Sequence, residues 1–106
     1  MSENKYTINY LPSAKKDLDN IISYIQTDDP NAALSLLNDI DKSISQLKSF
    51  PFKEKTPEDD HLKSKDYQML IVNNYLVFYV VFKKNKEVEI RRIIHGKRKY
   101  KFLFLY

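Results

Sequence analysis

The chain has 106 residues, no cysteine, one glycine and a formal net charge of +4. The cysteine count excludes disulfides, thiol nucleophiles and thiolate metal sites, and a lone glycine excludes a glycine-rich phosphate loop or a dinucleotide fingerprint. With 42% hydrophobic residues the chain can build a core rather than stay disordered, and its length suits one domain spanning residues 1–106.

Residues 6–11 alternate, with Tyr6, Ile8 and Tyr10 on one side and Thr7 and Asn9 on the other. That period of two predicts a short strand. Pro12 stops it and suits the first turn of a helix, where an N–H would be unpaired anyway. Ala14, Leu18, Ile21, Ile22 and Ile25 then recur at helical spacing, with Lys15, Lys16, Asp19 and Asn20 off the stripe. The stripe ends at Gln26-Thr27. Asp28-Asp29-Pro30 reads as a stop and a restart: Asp29 accepts from the free amides of the next first turn, and Pro30 fits just inside it. Ala33, Leu36, Leu37, Ile40, Ile44 and Leu47 form a second stripe, closed by Pro51. So short a joint predicts an antiparallel helical hairpin.

Residues 51–65 carry Pro51, Pro57 and mixed charges, with little apolar content, and read as a surface loop. Residues 67–72 form a strand, and Asn73-Asn74 a two-residue turn, because asparagine tolerates positive φ. Residues 75–82 are apolar throughout, as for a central strand covered on both faces. Residues 83–86 turn the chain again. Residues 87–95 alternate: Val88, Ile90, Arg92 and Ile94 on one face, Glu87, Glu89, Arg91, Ile93 and His95 on the other. Gly96 ends this strand. Tyr100, Phe102, Phe104 and Tyr106 follow, interleaved with cations.

The expected architecture is α+β. An N-terminal strand and a helical hairpin precede a three-stranded antiparallel meander, and the hairpin buries its stripes on one face of the sheet. The Ala14/Leu18/Ile21/Ile25 and Ala33/Leu37/Ile40/Ile44 stripes are expected to face strand 75–82, with Leu37 and Val80 buried between them. The longest apolar run is far short of the ~20 residues that cross a bilayer, and no apolar signal region opens the chain. A soluble, cytoplasmic protein with no membrane partner is expected.

Charge is concentrated at one end. Residues 91–106 hold six bases and no acid, while the other ninety hold twelve bases against fourteen acids. Such a patch attracts an anionic partner; the alternative is a solvated tail. RNA cleavage without a metal needs a base or orienting group at the 2′-hydroxyl, cations at the phosphorane and an acid for the leaving oxygen. His95, Arg91, Arg98 and Tyr100 lie within ten residues and have those chemistries. The alternative is that His95 only ends a strand and bonds its turn. Arg92, between Ile90 and Ile94, reads as a partly covered structural arginine paired with a carboxylate such as Asp17. His61 beside Glu58, Asp59 and Asp60 has no ligand spacing and reads as a solvated acidic turn, so neither metal nor cofactor is expected. Tyr100, Phe102, Phe104 and Tyr106 either stack on bases or pack the tail; packing suits Phe102 and Phe104.

Three stretches together resemble the RelE/ParE superfamily of bacterial type II toxins. They are Pro12-x-Ala14-x-x-Asp17-Leu18-x-x-Ile21-x-x-Tyr24-Ile25, then Asn74-Tyr75-Leu76-Val77-Phe78-Tyr79, then Ile90-x-Arg92-Ile93-Ile94-His95-Gly96-x-Arg98-x-Tyr100. The resemblance implies a small toxin neutralised by a cognate antitoxin that wraps it. One branch, RelE-like, cuts messenger RNA on the ribosome; the ParE-like branch blocks DNA gyrase. The basic strand positions of the nuclease branch fall here at Gln68, Leu70 and Leu76, and only Arg98 matches a basic one. The base-stacking tyrosine falls near Phe104, and the His-Tyr ending of the YoeB-like toxins is absent, since Gly96 follows His95. The resemblance therefore points to the ParE-like branch, with DNA gyrase as target and Arg91, Lys97, Arg98, Lys99, Lys101 and Tyr106 as the target- or antitoxin-binding surface. The alternative is a ribosome-dependent endoribonuclease acting on mRNA through His95, Arg98 and Tyr100; a second is a family member that poisons nothing.

Overall fold

The computed structural model describes residues 5–52, 62 and 65–96. Their elements are β1 (Thr7–Tyr10), α1 (Pro12–Asp28), α2 (Pro30–Ser45), a 3-10 turn at Gln46–Lys48, then β2 (Gln68–Val72), β3 (Tyr75–Phe82) and β4 (Glu87–His95). Pro12 and Pro30 each open a helix. The Asp29 carboxylate accepts from the Ala32 amide at 3.1 Å, so one residue both ends α1 and caps α2. Asn73 adopts φ 54° in the β2–β3 turn and Lys86 φ 50° in the β3–β4 turn.

The sheet is mixed, in the order β1-β4-β3-β2. The meander is antiparallel, but β1 pairs parallel with β4, Tyr10 opposite Ile90. Alternation alone assigns no neighbour to β1; the helical hairpin provides the long connection that a parallel pair requires. Both helices pack on one face. There Ala14, Ile40, Ile44, Val77, Tyr79, Val88, Ile90 and Ile93 form a core with no more than 2% exposure. A second, smaller cluster on the other face joins Leu62, Tyr67, Phe78, Val80 and Ile94. The central strand is thus covered on both sides, as its apolar run predicts.

Three expectations change in detail. In α2 the core position belongs to Leu36, 7% exposed, while Leu37 is half-buried one residue round the helix. The helices lie over the flanking strands, α1 on β4 and α2 toward β2, with Val77 and Tyr79 filling the space between. Val80 is buried, but against Leu62 and Tyr67 on the far face. Leu62 and Pro51 are also buried, so the segment read as a surface loop contributes a core residue to that face; its charged residues 53–61 lie outside the described residues.

The largest correction concerns β4. Its pairing with β3 runs Phe78 to Arg92 but Tyr79 to Ile90, leaving Arg91 as a β-bulge. An extra residue reverses the alternation beyond it. Ile93 therefore joins Val88 and Ile90 on the helix face, and Ile94 goes to the opposite face.

Candidate functional site

β4 extends past the end of β1, and α1 covers the exposed length. The Leu11 amide donates to Ile90 O at 2.9 Å, and the Ser13 hydroxyl donates to Arg91 O, the bulge carbonyl, at 2.8 Å. One turn on, the Asp17 carboxylate accepts from Arg92 Nε at 2.7 Å, Arg92 Nη2 at 2.9 Å and the Ile93 amide at 2.9 Å. Ser13 and Asp17 are spaced to share a helix face, and together they satisfy backbone groups that the bulge frees. Arg92 is the structural arginine that its apolar neighbours predict. Its hydrogen bond to Asp17 holds the guanidinium above its ordinary pKa, against the opposing effect of burial.

His95 ends β4 on this helix side. Its ring meets Tyr75 edge-on at 5.2 Å, and it borders a groove of about 330 Å³ with Asp17, Asn20, Ile21 and Tyr24 of α1. That volume is at the low end for ligand sites. Tyr24 is 80% exposed on the rim. Asn20 and Tyr24, four residues apart on α1, are the site neighbours that core-seeking pattern analysis passes over, because they lie off the apolar stripe.

Arg91 lies on the other face. Its guanidinium sits 5.7 Å from the centre of the Tyr67 ring, and Nε is 2.6 Å from Glu89 Oε1, an ion pair without hydrogen-bond alignment. His95 lies four residues beyond Arg91 along β4, ~13 Å at the usual rise, and the sheet lies between their side chains. The structure therefore does not bring them together as an acid–base and cation pair. Leu70 is buried in the helix-side core and Leu76 packs against the far-side cluster. Two of the three strand positions that are basic in the nuclease pattern thus supply packing here, and the third, Gln68, is half-buried. Arg98, Tyr100, Lys97, Lys99, Lys101 and Tyr106 lie outside the described residues, as do Phe102, Phe104 and His61.

In β1, opposite Ile90, burial raises the Tyr10 phenol above its ordinary pKa, and the nearby Asp41 carboxylate adds to the effect by opposing the phenolate. Among the described residues no cluster of three or more His, Asp or Glu is placed to hold a metal ion, and no helix is long and apolar enough to cross a membrane. What the described side chains offer is a contact surface in which both β4 arginines already have carboxylate partners.

A family model described as the ParE toxin of the type II toxin-antitoxin system, parDE, matches residues 8–100. Among solved structures, the chromosomal ParDE toxin–antitoxin system from P. aeruginosa is similar, with a TM-score of 0.72 and 19% identity over 89% of this chain and 99% of that one. The toxin–antitoxin complex RelBE2 from Mycobacterium tuberculosis is similar with a TM-score of 0.60 and 18% identity, over 86% of this chain and 98% of that one. No curated protein matches at significant similarity.

Proposed function

The chain belongs to the ParE toxin family of type II toxin–antitoxin systems, and from that premise we propose that it inhibits growth by binding DNA gyrase and is neutralised by a cognate antitoxin. The observation that favours binding over RNA cleavage is the state of the cations on β4. Arg92 is tied to Asp17 by two hydrogen bonds and Arg91 is paired with Glu89. Electrostatic catalysis at a phosphate needs cations aimed at the charge that develops there; Arg92 is instead aimed at Asp17, and Arg91 has a carboxylate beside it. The antitoxin reading is supported by the two similar structures, both of toxin–antitoxin systems. In this reading Arg91, Lys97, Arg98, Lys99, Lys101 and Tyr106 form the binding surface, so complex formation weakens as salt rises.

Expression of the chain in cells, followed by primer extension on abundant messages and by assay of DNA breaks, tests the proposal. Filamentation and DNA breaks with intact messages are expected. Discrete codon-linked cuts would establish the ribosome-dependent endoribonuclease instead. Arg98→Ala sharpens the test: reduced toxicity that overexpression restores is the binder's result. A variant that binds ribosomes normally, leaves message uncut and is non-toxic would overturn the proposal.

A further inference from the structure

Gly96 is the chain's only glycine, and it stands directly after β4, where the cationic segment begins. It does not adopt positive φ, so glycine is not required there for backbone conformation. It is required for room, as where one backbone closely approaches another. A Cβ at this position would stand 3.2 Å from Asn74 O and 3.9 Å from Leu76 Cγ, the first closer than Cβ atoms ordinarily come to a carbonyl. The Gly96 amide uses that room and donates to Asn74 O at 2.7 Å. This bond carries the β3–β4 pairing one step past Tyr75 and His95, onto the β2–β3 turn. The turn is itself held. Asn73 takes φ 54°, and its side-chain amide donates to Asp39 Oδ2 of α2 at 3.1 Å. Helix, turn and strand end are thus linked in series, Asp39 to Asn73 and Asn74 to Gly96.

We infer that Gly96 is a positioning residue for the cationic binding segment: its seat on Asn74 fixes the point and direction from which Lys97 and Arg98 are presented to the target. The inference rests on the reading of that segment as the binding surface. Lys97, Arg98, Lys99 and Lys101 follow Gly96 within five residues. Charges on an unrooted chain give an attraction that salt screens and that has no preferred orientation. A target that recognises individual side chains needs them held from a rigid element. A strand end bonded to a turn that a helix braces is such an element. Any side chain at position 96 pushes the strand end off the turn and moves the root of the segment, with every charge unaltered. A purely structural role for Gly96 would make that substitution felt in stability alone.

Two variants of the full chain keep every charge. Gly96→Ala disturbs the seat. A single alanine inserted between Gly96 and Lys97 leaves the seat intact and displaces the cations by one residue. Growth inhibition is measured against the amount of protein made in cells, alongside urea denaturation and amide exchange of each purified chain. The Gly96 amide is expected to be protected in the parent and in the insertion variant, with equal urea midpoints. Each variant is expected to need roughly tenfold more protein for the parent's inhibition, equivalent to about 1.4 kcal/mol of lost target binding. An insertion variant as inhibitory as the parent would overturn the inference, because the segment would then act by charge alone. A Gly96 amide that exchanges in the parent at the rate of a free peptide would overturn it as well. If Gly96→Ala unfolds, the insertion variant still decides, since its change lies beyond every described element. If the parent inhibits no growth, the proposed function fails and the positioning role with it, whereas an inhibitory parent with an equally inhibitory insertion variant sinks the positioning role alone.

Discussion

Asp17→Ala removes a carboxylate that accepts three hydrogen bonds, two from Arg92 and one from the Ile93 amide. The variant leaves a guanidinium and a backbone N–H unpaired under α1. Removing one partner of a buried ion pair costs about 3–5 kcal/mol. Here the side chains of Arg92 and Asp17 keep 21% and 13% exposure, so water recovers part of the loss, and a cost of about 2–4 kcal/mol is expected. That is a large share of the ~5–15 kcal/mol that holds a domain folded. Urea denaturation of Asp17→Ala, Arg92→Met and the double variant gives the magnitude and, through the cycle, the coupling. The double variant has no unpaired charge, only the orphaned Ile93 amide, worth about 1–3 kcal/mol. It should therefore be more stable than the sum of the single losses predicts. Single losses below about 0.5 kcal/mol, the range of ordinary surface changes, or strict additivity, would refute the reasoning.

Three further outcomes are expected. Leu62→Ala should cost about 2–5 kcal/mol by calorimetry, because a residue 1% exposed beneath Phe78 and Val80 leaves a cavity; a loss near zero would mean the far-side cluster is dispensable. Asp29→Ala should cost about 1 kcal/mol through the lost cap on the Ala32 amide, with Asp29→Asn costing less. The raised pKa of Tyr10 means that the folded state favours the neutral phenol, so the stability it contributes is present below pH ~10 and is lost as pH rises through the folded value. Difference titration of the parent against Tyr10→Phe in the near ultraviolet should show one phenol ionising late, and stability of the variant should fall less steeply above pH 10.

β3 and β4 are legible to the residue, because an eight-residue apolar run and a nine-residue alternating one have turn residues at both ends. The Asp29-Pro30 joint is equally plain, since the cap and the proline act within one turn. The Arg92–Asp17 pair follows from an arginine flanked by isoleucines, which needs a carboxylate when covered. What stays hidden is relational. Nothing local to residues 7–10 says that β1 lies parallel to β4. Leu62, isolated among charges, gives no periodicity by which to recognise a core residue. In the candidate site, His95 is visible as a strand end, but the face it occupies depends on the bulge, and a bulge at the first of two adjacent arginines leaves little trace in the apolar pattern. The basic tail that sequence reasoning weighted most heavily, 97–106, lies outside the described residues.

The extra residue at Arg91 makes β4 a counter of odd and even places. Cross-strand partners share a face, so Ile93, opposite Val77, and His95, opposite Tyr75, keep to the α1 side although they stand at odd places where Val88 and Ile90 stand at even ones. Deleting the codon for Arg91 would close the ladder to regular pairing and leave Ile93, Ile94 and His95 opposite the same β3 partners, on the faces they already occupy. Comparison of binding surfaces within this family therefore has to begin from the partners across β3 rather than from odd and even places counted along β4.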